Sequence, residues 1–256
     1  MFDILVEEYT DAGDVRDINQ DSIFSVTKYT GQKSAGLFVV ADGCGGLFFG
    51  EEASKLVVTH FNMLWDTKLE KFVETCSSIS DDMIFEVLEN AIVEINNISI
   101  NFGNLTNNKV GTTLSILFVV EDKYYIKNVG DSRIYLARKG KAEQLTEDQS
   151  LIADMVRNKE MTLEEAKNFS KKNVLTMCIG VFDEIKTYTK TGRIKSGDLF
   201  LLCSDGLYNY VPENLFYKLM SGDNKGSMAD MARLLRDSIP KGSARDNVSF
   251  ILIKFK

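Results

Sequence analysis

The chain has 256 residues, of which 44% are hydrophobic and 26% charged, with only 2 prolines. This is enough apolar material for one large domain with a sizeable core, and it leaves little for a linker. A formal net charge of -7 and a pI near 5.0 argue against a nonspecific nucleic-acid or anionic-membrane binder, since phosphate-rich partners are held by clustered cations.

The opening run, Met1 to Glu8, has neither a basic start nor a sustained apolar segment, and no later run approaches a bilayer-spanning length, so a cytoplasmic location is expected. Two early strands are predicted, Ser22 to Tyr29 and Gly36 to Ala41. The second climbs through Leu37-Phe38-Val39-Val40-Ala41 to Asp42-Gly43. Glu51 to Trp65 reads as a helix, with Ala53, Leu56, Val57, His60, Phe61 and Leu64 on one face. So does Asp81 to Ile100, with Met83, Ile84, Val87, Leu88, Ala91, Ile92 and Ile95.

Thr112 to Val120 and Tyr124 to Val129 form a hairpin-like pair around Glu121-Asp122-Lys123, and Arg133 to Arg138 ends on the turn Lys139-Gly140. Between Glu147 and Asn173 the chain turns polar around a short amphipathic piece, Thr162 to Phe169, which reads as a surface flap. Asp198 to Ser204 is another strand and runs into Asp205-Gly206. Two helices follow, Pro212 to Met220 and Ser227 to Ser238, and Val248 to Phe255 is the last strand. Strands that follow one another, with helices inserted in pairs, predict an α+β fold. It has two packed antiparallel β-sheets flanked by helix pairs, an α-β-β-α sandwich with a surface flap, built as a single domain over 1–256 with the flap at about 147–173.

Three apolar runs adjoin acids at their ends: Asp42, Asp205 and, before Val248, Asp246. A buried strand holds such an acid at the rim of its sheet, where a carboxylate stays ionised, and three of them can share a cation. The four cysteines, Cys44, Cys76, Cys178 and Cys203, have no C-x-x-C spacing and read as reduced thiols. His60, the only histidine, lies on a helical apolar face and reads as a core or boundary residue.

The motifs occur in a fixed order: Arg16-x-x-Asn19-Gln20-Asp21, Val40-Ala41-Asp42-Gly43-Cys44-Gly45-Gly46, Gly111-Thr112-Thr113, Asn128-Val129-Gly130-Asp131-Ser132-Arg133, Leu145-Thr146-x-Asp148-x-Ser150, Leu175-Thr176-x-x-Ile179-Gly180, Ser204-Asp205-Gly206-Leu207 and Arg245-Asp246-Asn247-Val248. Along nearly its whole length the chain thereby resembles the bacterial-type members of the type 2C metal-dependent protein serine/threonine phosphatases (the PPM family). The resemblance implies two Mn²⁺ or Mg²⁺ ions, with Asp42 bridging them, Asp21 and the Gly43 carbonyl on one and Asp205 with Asp246 on the other. Asp131 would share a third, weaker ion with Asp205, or else merely orient Arg133. An all-oxygen donor set suits these hard cations.

In such a site a water held between two ions roughly 3.5–4 Å apart attacks phosphorus directly, without a phosphoenzyme. Arg16 would clamp the phosphate through paired guanidinium donors, a geometry lysine lacks. The implied substrates are phosphorylated proteins, those of a serine/threonine kinase, acted on by a monomer. Two rival readings keep the same residues: a catalytically weak relative that binds phosphoproteins as a regulator, and a phosphatase for a small phosphorylated molecule.

The chain departs from the family pattern in three places. Cys44 stands where some members carry a His proposed as proton donor, so no general acid is assigned. Gln149 and Met177 replace a His and an Arg found in other members around the flap. Cys44 is followed by no Cys-x5-Arg loop and reads as a small filler near the metals rather than a nucleophile.

Overall fold

A computed structural model describes residues 1–256 apart from 32, 45, 46, 48, 76–78, 168, 170–173 and 221–226. In chain order the described elements begin with β1 (Ile4–Asp11), β2 (Asp21–Thr30) and β3 (Lys33–Asp42). Helix α1 (Gly50–Leu64) continues through a π-helical turn, Trp65–Leu69, into α2 (Glu70–Thr75), and α3 spans Asp81–Thr106. Then come β4 (Leu114–Val120), β5 (Lys123–Val129), β6 (Arg133–Arg138), β7 (Lys141–Gln144), α4 (Leu151–Arg157), α5 (Leu163–Lys167), β8 (Tyr188–Arg193) and β9 (Leu199–Cys203). Helices α6 (Asp205–Tyr208), α7 (Glu213–Met220) and α8 (Met228–Asp237) precede β10 (Val248–Phe255).

The strands form two antiparallel five-stranded sheets, ordered β1-β10-β9-β6-β7 and β2-β3-β4-β5-β8. Three apolar layers hold them together, and the strand sequences explain why. Along β3, Phe38 and Val40 point into the space between the sheets with Leu117, Phe200, Leu202, Ile251 and Ile253. Their neighbours Leu37, Val39 and Ala41 face the other way, onto Val57, Phe61, Ile84, Leu88 and Ile92 of α1 and α3. On the far side Leu201, Phe250 and Leu252 meet Phe216, Met231 and Leu235. A strand buried on both faces has no polar alternation, which is why these segments read as unbroken apolar runs. The α-β-β-α sandwich expected from the sequence is therefore the one observed.

The differences lie in particular elements. Strands β1, β7 and β8 were not expected, and α3 runs six residues beyond Ile100, ending on Asn107 in the left-handed conformation (φ 54°). Met83 is exposed rather than on the buried face of α3, because it falls in the first turn beside Asp81 and Asp82. Of the flap, α4 was not anticipated; α5 lies within the amphipathic piece, parts of which fall outside the described residues. His60 is largely covered, with Nε2 3.9 Å from Glu94, and burial lowers its pKa; this is a boundary residue, as its spacing predicted.

Candidate active site

The acids of the five motifs converge because strand ends from both sheets meet at one end of the sandwich. Asp21 opens β2 and Asp42 closes β3, and the two face each other directly in register. Asp131 follows the end of β5, Asp205 follows β9, and Asp246 stands two residues ahead of β10. Ladders Phe250↔Cys203 and Leu114↔Val129 bring these ends level with one another in their sheets. Asp42, Gly43, Asp131, Asp205 and Asp246 line one cleft of about 510 Å³, with Arg16, Thr113, Leu175, Cys178 and Phe182 among the other walls. Asp21 lies beneath, buried against Asp42.

A dense set of hydrogen bonds fixes these side chains. The Ser204 hydroxyl donates to Asp21 Oδ2 at 2.8 Å, and the Ser249 amide donates to Ser204 Oγ at 3.1 Å. Thr113 locks Asp42 from the next strand: its Oγ1 accepts from the Asp42 amide at 2.9 Å and its own amide donates to the Asp42 carbonyl at 2.8 Å. Gly43 has no room for a side chain, since a Cβ would stand 2.4 Å from the Gly50 carbonyl and 2.6 Å from that of Gln20. The Arg16 loop is tied down by Asn247. Its amide donates to the carbonyls of Ala12 (2.9 Å) and Ile18 (3.0 Å), and its Oδ1 accepts from the Gln20 amide (2.9 Å).

Arg16 itself reaches Asp246 in a forked pair, Nε to Oδ1 at 3.1 Å and Nη2 to Oδ2 at 3.2 Å, at the exposed mouth of the cleft. Arg133 does not bond Asp131. It grips Asp148 with Nε and Nη2 (2.6–3.1 Å) and stacks 3.6 Å from the centre of the Tyr208 ring, while the Tyr208 hydroxyl donates to the Asp131 carbonyl at 3.0 Å. The Arg133 charge is still felt at Asp131, where it works against the upward shift from burial. Gln149 ties the start of the flap to the site, accepting from the Gly130 amide (2.9 Å) and donating to the Lys186 carbonyl (2.7 Å).

So many carboxylates in one place resist ionisation. Desolvation, and then repulsion from Asp21, Asp205 and Asp131, pushes the Asp42 pKa well above its usual value. Asp205 is pushed up likewise by burial, then by Asp131 and Asp246. Burial, partly offset by the Ser249 and Ser204 hydroxyls, brings Asp21 to about 6. Burial followed by the Asp148 charge does the same for Asp131. Asp21 Oδ1 is buried with no hydrogen-bond partner among the described residues.

A hard divalent cation answers each of these features: it supplies the missing charge and accepts an all-oxygen donor set. Among the described residues no three His, Cys, Asp or Glu side chains converge as a finished metal centre, so ions held here would complete their shells with carbonyl or water oxygens, as hard cations do. Every acid singled out from the sequence is in this cluster. Sequence reasoning missed the holders: Ser204 and Asn247 sit inside motifs already noted, adjacent to ligand acids, and that adjacency was the available signal.

The chain has clear relatives. The family model for protein phosphatase 2C matches residues 14–244. The chain is 30% identical to the serine/threonine phosphatase stp of Listeria monocytogenes over 247 residues, covering 96% of this chain and 93% of that protein. It is also 30% identical to the protein phosphatase PhpP of Streptococcus pneumoniae over 245 residues, 95% and 94% of the two chains. Among solved structures it is similar to the serine/threonine phosphatase Stp1 from Staphylococcus aureus, with a TM-score of 0.84, 30% identity and coverage of 98% and 94%. The catalytic domain of the serine/threonine protein phosphatase PstP in complex with two manganese ions superimposes with a TM-score of 0.79 at 26% identity, covering 100% and 99%.

Proposed function

The chain belongs to the protein phosphatase 2C family, and from that premise we propose that its cleft hydrolyses phosphoserine and phosphothreonine in proteins, using water rather than a side chain as the nucleophile. The observation that carries this reading is the gathering of Asp42, Asp131, Asp205 and Asp246 in one cleft at the strand ends of both sheets, with Asp21 buried beneath and a forked arginine at the mouth. In this reading Asp42, Asp21, the Gly43 carbonyl, Asp205 and Asp246 would hold two Mn²⁺ or Mg²⁺ ions, Asp42 contributing to both, and Asp131 with Asp205 would hold a third. Such ions, when bound, lower the pKa of a water and offset charge at phosphorus. A related domain, PstP, in complex with two manganese ions supports the choice.

The chain's own residues then have separable tasks. Ser204 holds Asp21 by Oδ2, leaving Oδ1 for a cation. Thr113 fixes the Asp42 backbone through both its amide and its carbonyl, so the acid leaves the strand end from a fixed point. Arg16 is exposed and already presents two parallel donors to a carboxylate, the geometry with which it would hold two phosphate oxygens. Its position at the rim of an open cleft suits a phosphorylated side chain on a protein surface.

Residues 1–256 are read as one catalytic domain, with a flap at about 147–173 beside the Asp131 end of the cleft. We read the protein as a cytoplasmic monomer; its net charge is -7, and among the described residues no helix is long and apolar enough to cross a membrane. It would act on the substrates of a serine/threonine kinase without nucleic-acid or membrane partners. The test is hydrolysis of p-nitrophenyl phosphate and a phosphothreonine peptide with Mn²⁺. Turnover that persists in chelator, or in Asp42→Asn, overturns the proposal.

A further inference from the structure

The cleft holds two thiols that hydrolysis does not use. Cys44 follows Gly43 directly, and its amide donates to the Gly111 carbonyl at 2.9 Å. Cys178 approaches from the opposite side of the same short segment. Its neighbour Ile179 exchanges two backbone hydrogen bonds with Thr112 (3.2 and 2.9 Å), while Gly43 bridges Thr112 from the other flank. A Cβ built on Gly111 would stand 3.5 Å from Cys178 Sγ, so the sulfur lies over the very residue that anchors Cys44. Gly111 keeps that space free. Side chains at 44 and 178 line the cleft together.

We propose that Cys44 and Cys178 are an oxidisable pair, closing into a disulfide when hydrogen peroxide enters the cleft and thereby displacing the Gly43 corner from the acids. One sulfur attacks a peroxide oxygen as the O–O bond breaks, leaving a sulfenic acid and one water. The second sulfur then attacks the sulfenic sulfur; the S–S bond forms as the S–O bond breaks, and a second water leaves. Two thiols are oxidised by two electrons, and one peroxide is reduced. Neither cysteine lies in a helix or strand, so irregular backbone absorbs the approach that a disulfide's Cβ spacing of about 3.5–4.5 Å requires. Cys203, fully buried at the end of β9, has no such access and stays reduced.

The bond itself is independent of the phosphatase reading; only its consequence rests on that reading. The full chain is treated with hydrogen peroxide in chelator, freed of oxidant, denatured, alkylated and mapped by mass spectrometry. A peptide joining Cys44 to Cys178, released by dithiothreitol and absent from Cys44→Ser and Cys178→Ser, is expected. Two alkylatable thiols at those positions, or only singly oxidised sulfurs, overturn the proposal. Part of each sample is returned to Mn²⁺ and assayed: cross-linked protein should lose activity about a hundredfold, as a 1 Å misplacement can cause, and recover it on reduction. A cross-link without loss of activity overturns the regulatory half. Should reduced protein also be inactive, the phosphatase reading fails while the cross-link stands. Cys44→Ala replaces Cys44→Ser should the latter not fold.

Discussion

Asn247→Ala removes three hydrogen bonds from one buried side chain, those to Ala12, Ile18 and Gln20, and with them the frame of the loop that carries Arg16. Asn247 is only 4% exposed, so the Gln20 amide and the Ala12 carbonyl have little access to replacement water. Each net bond is worth roughly 0.5–1.5 kcal/mol, and the sum expected is about 2–3 kcal/mol once partial rehydration at exposed Ile18 is allowed. With a slope of about 2 kcal/mol per molar urea, the midpoint in chelator should fall by about 1–1.5 M.

The functional loss should be local. Arg16 no longer meets Asp246 in a fixed fork, so KM for a phosphopeptide should rise about tenfold, and inhibition by inorganic phosphate should weaken in parallel. Asn247→Asp keeps the acceptor for Gln20 but loses both donors and buries a carboxylate against the Ala12 and Ile18 carbonyls, so it should match alanine in KM while losing more stability. An unfolding midpoint within about 0.2 M of the parent, together with an unchanged KM, would refute the assignment of Asn247 as the holder of this loop.

Arg16→Lys keeps the charge but not the fork, and should raise KM and the phosphate inhibition constant about tenfold; equal constants for the two proteins would remove the clamp role. Asp42→Asn and Asp205→Asn should lower kcat/KM by more than about a thousandfold in saturating Mn²⁺. Both should nonetheless melt higher than the parent in chelator, because each deletes a crowded carboxylate charge; lower melting temperatures would contradict the charge argument. In chelator, stability should rise as pH falls from 7 to 5. Asp21 and Asp131 have folded pKa values near 6, above an unfolded value of about 3.9, so the folded chain binds protons more tightly and the ionisation cost fades below pH 6. His60, held low by burial, opposes this with one group against two, and a steady loss of stability over that window would show the reasoning wrong.

The sequence spoke clearly where chemistry and burial coincide. Runs such as Leu37 to Ala41 and Leu199 to Cys203 are buried on both faces, so their apolar pattern needs no tertiary information. The strands that went unread, β1, β7 and β8, are three of the four sheet edges. An edge strand keeps polar residues on the side that meets water, as Glu8 and Thr10 in β1 and Thr189, Thr191 and Arg193 in β8 do, and only its pairing reveals it. Asp42, Asp205 and Asp246 were legible because each adjoins a buried apolar strand, whereas Asp21 and Asp131 were legible only through the resemblance their motifs carry. Cys178 was not, because nothing local to it signals that Thr112 draws its segment against Cys44.

Stability and function pull against each other along this edge. Asp21 and Asp42 face one another across a strand pair, a placement that like charges disfavour, and Asp205, Asp131 and Asp246 add to the same field. The fold tolerates this because the three apolar layers over both sheets leave the strand ends no other position, and because Ser204, Thr113 and Asn247 fix the backbone where repulsion would spread it. Arg133, bonded to Asp148 and stacked on Tyr208, offsets only part of the burial and repulsion at Asp131 and Asp205, and Arg16 is exposed, so the inner acids stay crowded. The residual negative potential is therefore a built property of the cleft, available to whatever divalent cation enters, and its strength depends on side chains that never touch the ion.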